Sequence, residues 1–103
     1  MNKPILFISG PMKGFPNKNR ERFNEIEELA ISLGYTVLNP ATLPDGLNDE
    51  DYLPICLAML EAADYMFSMC SNGYYHSCAA EQAYAVAQGI HILTNEDELQ
   101  EYV

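Results

Sequence analysis

Glu81 is the charged residue in the run Cys78-Ala79-Ala80-Glu81-Gln82-Ala83-Tyr84-Ala85-Val86-Ala87-Gln88, whose composition predicts a helix. A carboxylate about one turn into such a helix is favoured electrostatically by the helix dipole, and the helix N-terminus aims at the crevice that the fold would open after strand three. Periodicity alone leaves a second reading open, in which Glu81 lies on the solvated face. The loop Ser9-Gly10-Pro11-Met12-Lys13-Gly14 continues through Lys18 to Arg20, so two glycines stand among three cations. It could receive an anion through backbone amides and local charge, or be an ordinary strand-to-helix turn with solvated lysines. It matches neither G-x-G-x-x-G nor the P-loop pattern. Tyr75, His76 and Ser77 precede the Glu81 helix and carry polar tips that could face a ligand.

Other reactive residues offer less. Cys56, Cys70 and Cys78 contain no CxxC, and His76 and His91 complete no zinc spacing, so neither a disulfide framework nor a metal is expected. Cys78, at a helix N-terminus, is the thiol best placed to be stabilised as a thiolate, but no base stands near it in sequence. Asp64 and His91 read as structural residues.

These residues must be positioned by alternating short strands and helices. The apolar run Ile5–Ile8 stops at Ser9-Gly10-Pro11 and reads as a buried parallel strand. Phe23, Ile26, Ala30 and Leu33 then recur at helical spacing, with Asn19 as the expected N-cap and Gly34 closing the helix. Tyr35–Leu38 is a second strand, and a second helix spans about Asp51 to Ala63, with Pro54 tolerated in its first turn. Tyr65–Met69 is the third strand. Ser77 is the expected N-cap of the Glu81 helix, which Gly89 ends. Ile90–Leu93 is the fourth strand, and Thr94 to Asp97 resembles a capping box opening a short last helix.

Such alternation predicts an α/β fold, a parallel sheet of about four strands with helices on both faces, in the doubly wound order 2-1-3-4. The chain then reverses direction between strands one and three. Ser9–Asn19 and Cys70–Glu81 face each other across the resulting crevice.

The chain has 103 residues, 49% of them hydrophobic, which suits a single domain over residues 1–103 with its own core. Its formal net charge is −10, and every Lys and Arg lies in the first 22 residues. That balance argues against nucleic-acid polymers, and any anion must be met near the N-terminus or by backbone amides. The opening MNKPILFISG fits neither a signal segment nor a membrane span, so a cytoplasmic location is expected.

Phe7 to Met12, Asn39-Pro40 after strand two, Ala63-Asp64 before strand three, and Glu81 with Ala85 and Gly89 together resemble the nucleoside 2-deoxyribosyltransferase-like family over roughly residues 4 to 93. Within it, the small phage and bacterial branch is the most similar. The resemblance implies a flavodoxin-like, Rossmann-like three-layer sandwich. It also implies cleavage or transfer of the N-glycosidic bond of a nucleoside or nucleotide, with no cofactor and no metal. Glu81 matches the nucleophile, which would form a glycosyl ester, and Ser9, Gly10, Pro11 and Met12 match the loop bordering the substrate. A homodimer or larger assembly is implied too.

This chain departs from the family at several positions. Phe7 stands where a tyrosine is usual, Cys56 where an aspartate is, Tyr75 where an acid is, and Ser77 where a glycine is. The retained Glu81 supports an enzyme. The altered partners, with Lys13 and the neighbouring cations, support an alternative: a non-catalytic protein that senses or sequesters a nucleotide in the same crevice.

Overall fold

The computed structural model describes residues 3–12, 14–70 and 76–102. Four strands, β1 (Ile5–Ser9), β2 (Thr36–Leu38), β3 (Tyr65–Ser68) and β4 (His91–Leu93), pair in parallel in the order β2-β1-β3-β4. Among the described residues, four α-helices alternate with them: α1 (Arg20–Leu33), α2 (Asp49–Glu61), α3 (His76–Gln88) and α4 (Glu96–Glu101). The class and strand order are those the sequence predicts.

Alternation along the strands sorts the core into two layers. Leu6, Ile8 and Phe67 pack with Phe23, Ile26 and Ala30 of α1 and with Leu99 of α4. Phe7 and Met66 point the other way, into a cluster with Cys56 and Leu60 of α2 and Ala85 of α3. The sheet therefore lies between α1/α4 and α2/α3. No helix among the described residues is long and apolar enough to cross a membrane.

The helix ends show where local signals were modified by tertiary contacts. Gly34 closes α1 as expected, at φ 109° with its N–H on the carbonyls of Ala30 and Ile31. Asn19 precedes α1 but does not cap it. Residues Asn17, Lys18 and Asn19 all have positive φ, and the Asn19 amide instead donates to Pro11 O at 2.9 Å. Helix α2 starts two residues earlier than expected, because the Asp51 carboxylate accepts from the Asn48 N–H at 3.0 Å. The α4 cap is Asn95 rather than Thr94: its side chain accepts from the Glu98 N–H, while the Glu98 carboxylate accepts from the Thr94 N–H. Helix α3 already begins at His76, so Ser77 lies inside its first turn and not at the cap.

Tyr35, expected in β2, falls just before it. It is buried, and its hydroxyl donates to Leu99 O at 2.7 Å, fastening α4 across 64 residues. Tyr35→Phe leaves that carbonyl without its partner and should lower stability by about 1 kcal/mol. A urea midpoint equal to that of the wild type would show that the bond contributes nothing.

Candidate active site

The order reversal between β1 and β3 opens the sheet beyond their carboxyl ends, where doubly wound folds hold ligands. Ser9 and Ser68 end these strands and are register partners. Alternation puts both on the face of Phe7 and Met66, the face covered by α3. Two consecutive residues of α3 meet them. The Ser9 hydroxyl donates to Glu81 Oε1 at 2.6 Å, and Gln82 Nε2 donates to Ser68 Oγ at 3.1 Å. The open question about Glu81 is thereby decided, since it is only 4% exposed and does not lie on the solvated face.

From α2, the buried Cys56 thiol lies close enough to the Glu81 carboxylate to influence its ionisation. Burial pushes Glu81 up to about 7, while the hydrogen bonds from Ser9 and Cys56 pull the other way and stabilise the ionised form. Burial, with the Glu81 carboxylate beside it, pushes the Cys56 thiol up to about 12, so Cys56 is a neutral donor at any ordinary pH. Among the described residues, no charged side chain acts on Glu81. Its poise near neutrality comes from desolvation offset by two neutral donors.

The loop after β1 is tied to the same end of the sheet. Ser9 O accepts from the Met69 N–H at 2.8 Å. Gly10 is closely packed: a Cβ there would displace the flexible end of the Met69 side chain and come within 3.2 Å of the Phe23 ring. Pro11 is buried, and Met12 packs against the α1-side core. Of the remaining sequence-predicted site residues, Lys13 and Tyr75 lie outside the described residues. His76 and Ser77 form the first turn of α3, five and four positions before Glu81, so His76 is not a loop residue; their side chains lie outside the description.

The expected positive edge is largely neutralised. Lys18 and Arg20 both bind the Asp45 carboxylate, Lys18 at 3.0 Å, and Arg22 pairs with Glu25 at 3.2 Å and Glu96 at 2.8 Å. These three cations hold α1 and its entry loop to neighbouring segments. Asp45 lies 25 residues from Arg20, in a loop whose approach to the N-terminal region the charge count could not reveal.

A second difference concerns the cysteines. Cys70 and Cys78 form a disulfide, with Cα atoms 6.3 Å apart, joining the chain just after β3 to the first turn of α3. The spacing of eight residues is no recognised motif; the pair is brought together by the strand-to-helix connection. Cys56 is the free thiol. Titration of denatured protein should therefore find one thiol before reduction and three after; three before reduction would contradict the pairing.

Sequence reasoning missed Ser68 and Gln82 altogether, and it assigned Ser9 only to the ligand loop. The signal was present in the alternation, because the parity that buries Phe7 and Met66 also places Ser9 and Ser68 under α3. Phe7, where the resemblance leads one to expect a tyrosine, is fully buried in the α2-side cluster, and the hydroxyl on Glu81 comes from Ser9 two residues on. At the other end of the sheet, Lys3, Asp64, Tyr65, His91 and Tyr102 line an open groove of about 770 Å³. Asp64 has the structural part expected of it, accepting from the Ile5 N–H at 2.8 Å. No group of three or more His, Cys, Asp or Glu among the described residues could hold a metal ion.

Comparison with known proteins adds to this geometry. The structure is similar to that of a 2-deoxyribosyltransferase from the psychrotolerant bacterium Bacillus psychrosaccharolyticus, characterised as a biocatalyst for synthesis of antiviral and antitumoral nucleosides. The TM-score is 0.71 over 96% of this chain and 92% of that one, at 14% identity, a likeness of fold. None of the curated protein sequences compared with the chain matches it significantly. The resemblance read from the sequence thus holds at the level of a nucleoside 2-deoxyribosyltransferase-like fold. A family model, that of the domain of unknown function DUF4406, matches residues 4–94, and the chain belongs to that family.

Proposed function

We propose that the protein cleaves or transfers the N-glycosidic bond of a nucleoside, with Glu81 as the nucleophile. The observation that carries this reading is a buried carboxylate at the carboxyl ends of β1 and β3, held by Ser9 and raised by burial to about 7. The relative's fold supports it, as does the match of Glu81 to the nucleophile that the resemblance to nucleoside 2-deoxyribosyltransferases implies.

In the first step, an oxygen of the ionised Glu81 carboxylate bonds to the anomeric carbon as the carbon–nitrogen bond breaks. The electron pair leaves with the base, which takes a proton from water. The glycosyl ester on Glu81 is then attacked by a nitrogen of a second base or by water, the incoming group loses a proton to solvent, and the carboxylate is restored. Each displacement inverts the anomeric carbon, so the overall outcome is retention. The hydrogen bond from Ser9 holds the carboxylate in one orientation, which matters because an attacking group must be placed within a few tenths of an ångström.

A nucleoside fits the described residues better than a nucleotide. Lys18, Arg20 and Arg22 are engaged with Asp45, Glu25 and Glu96, so the cations invoked for phosphate binding already have partners. Incubation with a panel of nucleosides and nucleoside monophosphates, followed by chromatography, tests the proposal. Free base should be released from a nucleoside, and an added second base that acts as acceptor should appear as a new nucleoside. No release at high enzyme concentration, with a nucleotide raising the thermal midpoint, would favour the sequestering protein instead.

A further inference from the structure

The Cys70–Cys78 disulfide has no part in the proposed glycosyl transfer, yet both of its ends are built into the elements that place Glu81. Cys70 is the second residue beyond β3, and its N–H donates to Ser68 Oγ at 3.3 Å. Gln82 Nε2 donates to the same Ser68 Oγ at 3.1 Å and reaches the Cys70 carbonyl at 3.5 Å. Cys78 lies in the first turn of α3, four residues before Gln82 and so on the same side of the helix. A covalent link and an amide clasp therefore fasten successive turns of α3 to the end of β3. Ser68 is the register partner of Ser9, so this fastening also sets how Glu81 meets the Ser9 hydroxyl on the neighbouring strand.

We propose that Cys70–Cys78 is a site of reversible redox modification: the disulfide holds the start of α3 where Glu81 meets Ser9, and reduction by a dithiol releases it. In the reduction, one thiolate of the dithiol attacks a disulfide sulfur to give a mixed disulfide, and its second thiolate displaces that bond. Two electrons and two protons pass to Cys70 and Cys78, and the dithiol leaves as its own disulfide. Both cysteines are buried, so attack proceeds through local opening of the first turn of α3. The inference rests on the reading of Glu81 as nucleophile for its consequence in rate, but not for its consequence in the burial of the carboxylate.

The test compares the oxidised protein, the protein reduced with dithiothreitol, the reduced protein re-oxidised with oxidised glutathione, and the double variant Cys70→Ser, Cys78→Ser. One readout is labelling of Glu81 by a water-soluble carbodiimide and an amine, located by peptide mass spectrometry, with the exposed Glu28 as internal reference. The other is single-turnover base release. Reduction should speed labelling of Glu81 relative to Glu28 by about fivefold or more and lower base release by about tenfold or more, and re-oxidation should reverse both. The double variant should behave as the reduced protein and not respond to dithiothreitol. A disulfide that is only a staple would lower the thermal midpoint when reduced and leave Glu81 labelling unchanged, and that result overturns the proposal. So does a response to dithiothreitol that persists in the double variant, or a count of three thiols before reduction. If the double variant does not fold, the oxidised and reduced wild-type proteins still decide, since they need no substitution. Labelling needs no turnover, so absence of base release in every state would sink the nucleophile reading and leave the redox site to be judged on Glu81 exposure.

Discussion

Glu81→Gln should abolish base release, lowering the rate by about four orders of magnitude or more, the scale of removing a covalent nucleophile. Glutamine keeps the size of the side chain and an oxygen that can accept from Ser9, so the change removes nucleophilicity with little else. The variant should remain folded and still bind nucleoside, so the loss should fall on kcat and spare binding. Glu81→Asp keeps the charge but withdraws the oxygen by a methylene from Ser9 and Cys56, and it should be severely impaired as well. Activity of Glu81→Gln within tenfold of wild type would remove the central residue from the mechanism. The measurement is single-turnover base release at saturating nucleoside.

The same residue should make the protein less stable as pH rises from acid to neutral. In the folded state burial raises Glu81 from its ordinary 4.5 to about 7, so between these values the folded chain binds more protons than the unfolded chain. Stability from this group is therefore complete below pH 4.5, is lost as pH rises toward 7, and levels off beyond it. The difference corresponds to roughly 3 kcal/mol. Glu81→Gln lacks the titration, so subtracting its stability from that of the wild type isolates the group from the other fourteen acids. At pH 8 the variant should be the more stable protein, with a thermal midpoint higher by on the order of 10 °C, and near pH 4.5 the advantage should largely vanish. A constant difference across that range would mean that Glu81 is not desolvated as its burial indicates. Stability gained at the cost of activity is the expected mark of a functional carboxylate held in a poor environment.

The framework was readable from local patterns. Ile5–Ile8 and the 23, 26, 30, 33 spacing each satisfy one period, and period together with punctuation sets strands, helices and their order. Glu81 was found because a lone charge in an alanine-rich helix is conspicuous, but periodicity could not tell solvent from crevice. That distinction depends on how α3 rotates over the sheet, and Gln82 on Ser68 and Glu81 on Ser9 fix the rotation together. Such contacts join residues 14 and 72 positions apart and follow from the β1–β3 register, which no single segment encodes. The engagement of Arg20 by Asp45 was hidden because it too joins distant segments, and the pairing of Cys70 with Cys78 because a spacing of eight residues is no recognised motif. Asn19 is a different kind of case. Its type was right for a cap, but a run of three left-handed residues turned its amide toward Pro11.

The central claim is a covalent bond between a sugar and Glu81. A nucleoside carrying an electron-withdrawing fluorine at the sugar 2-position slows both displacements, and a reactive base speeds the first, so the ester should accumulate. Intact-protein mass spectrometry after rapid quenching should then show an increment equal to one glycosyl group, located by proteolysis on the peptide containing Glu81 and missing in Glu81→Gln. Base released without any adduct, or an adduct on another residue, would contradict the account.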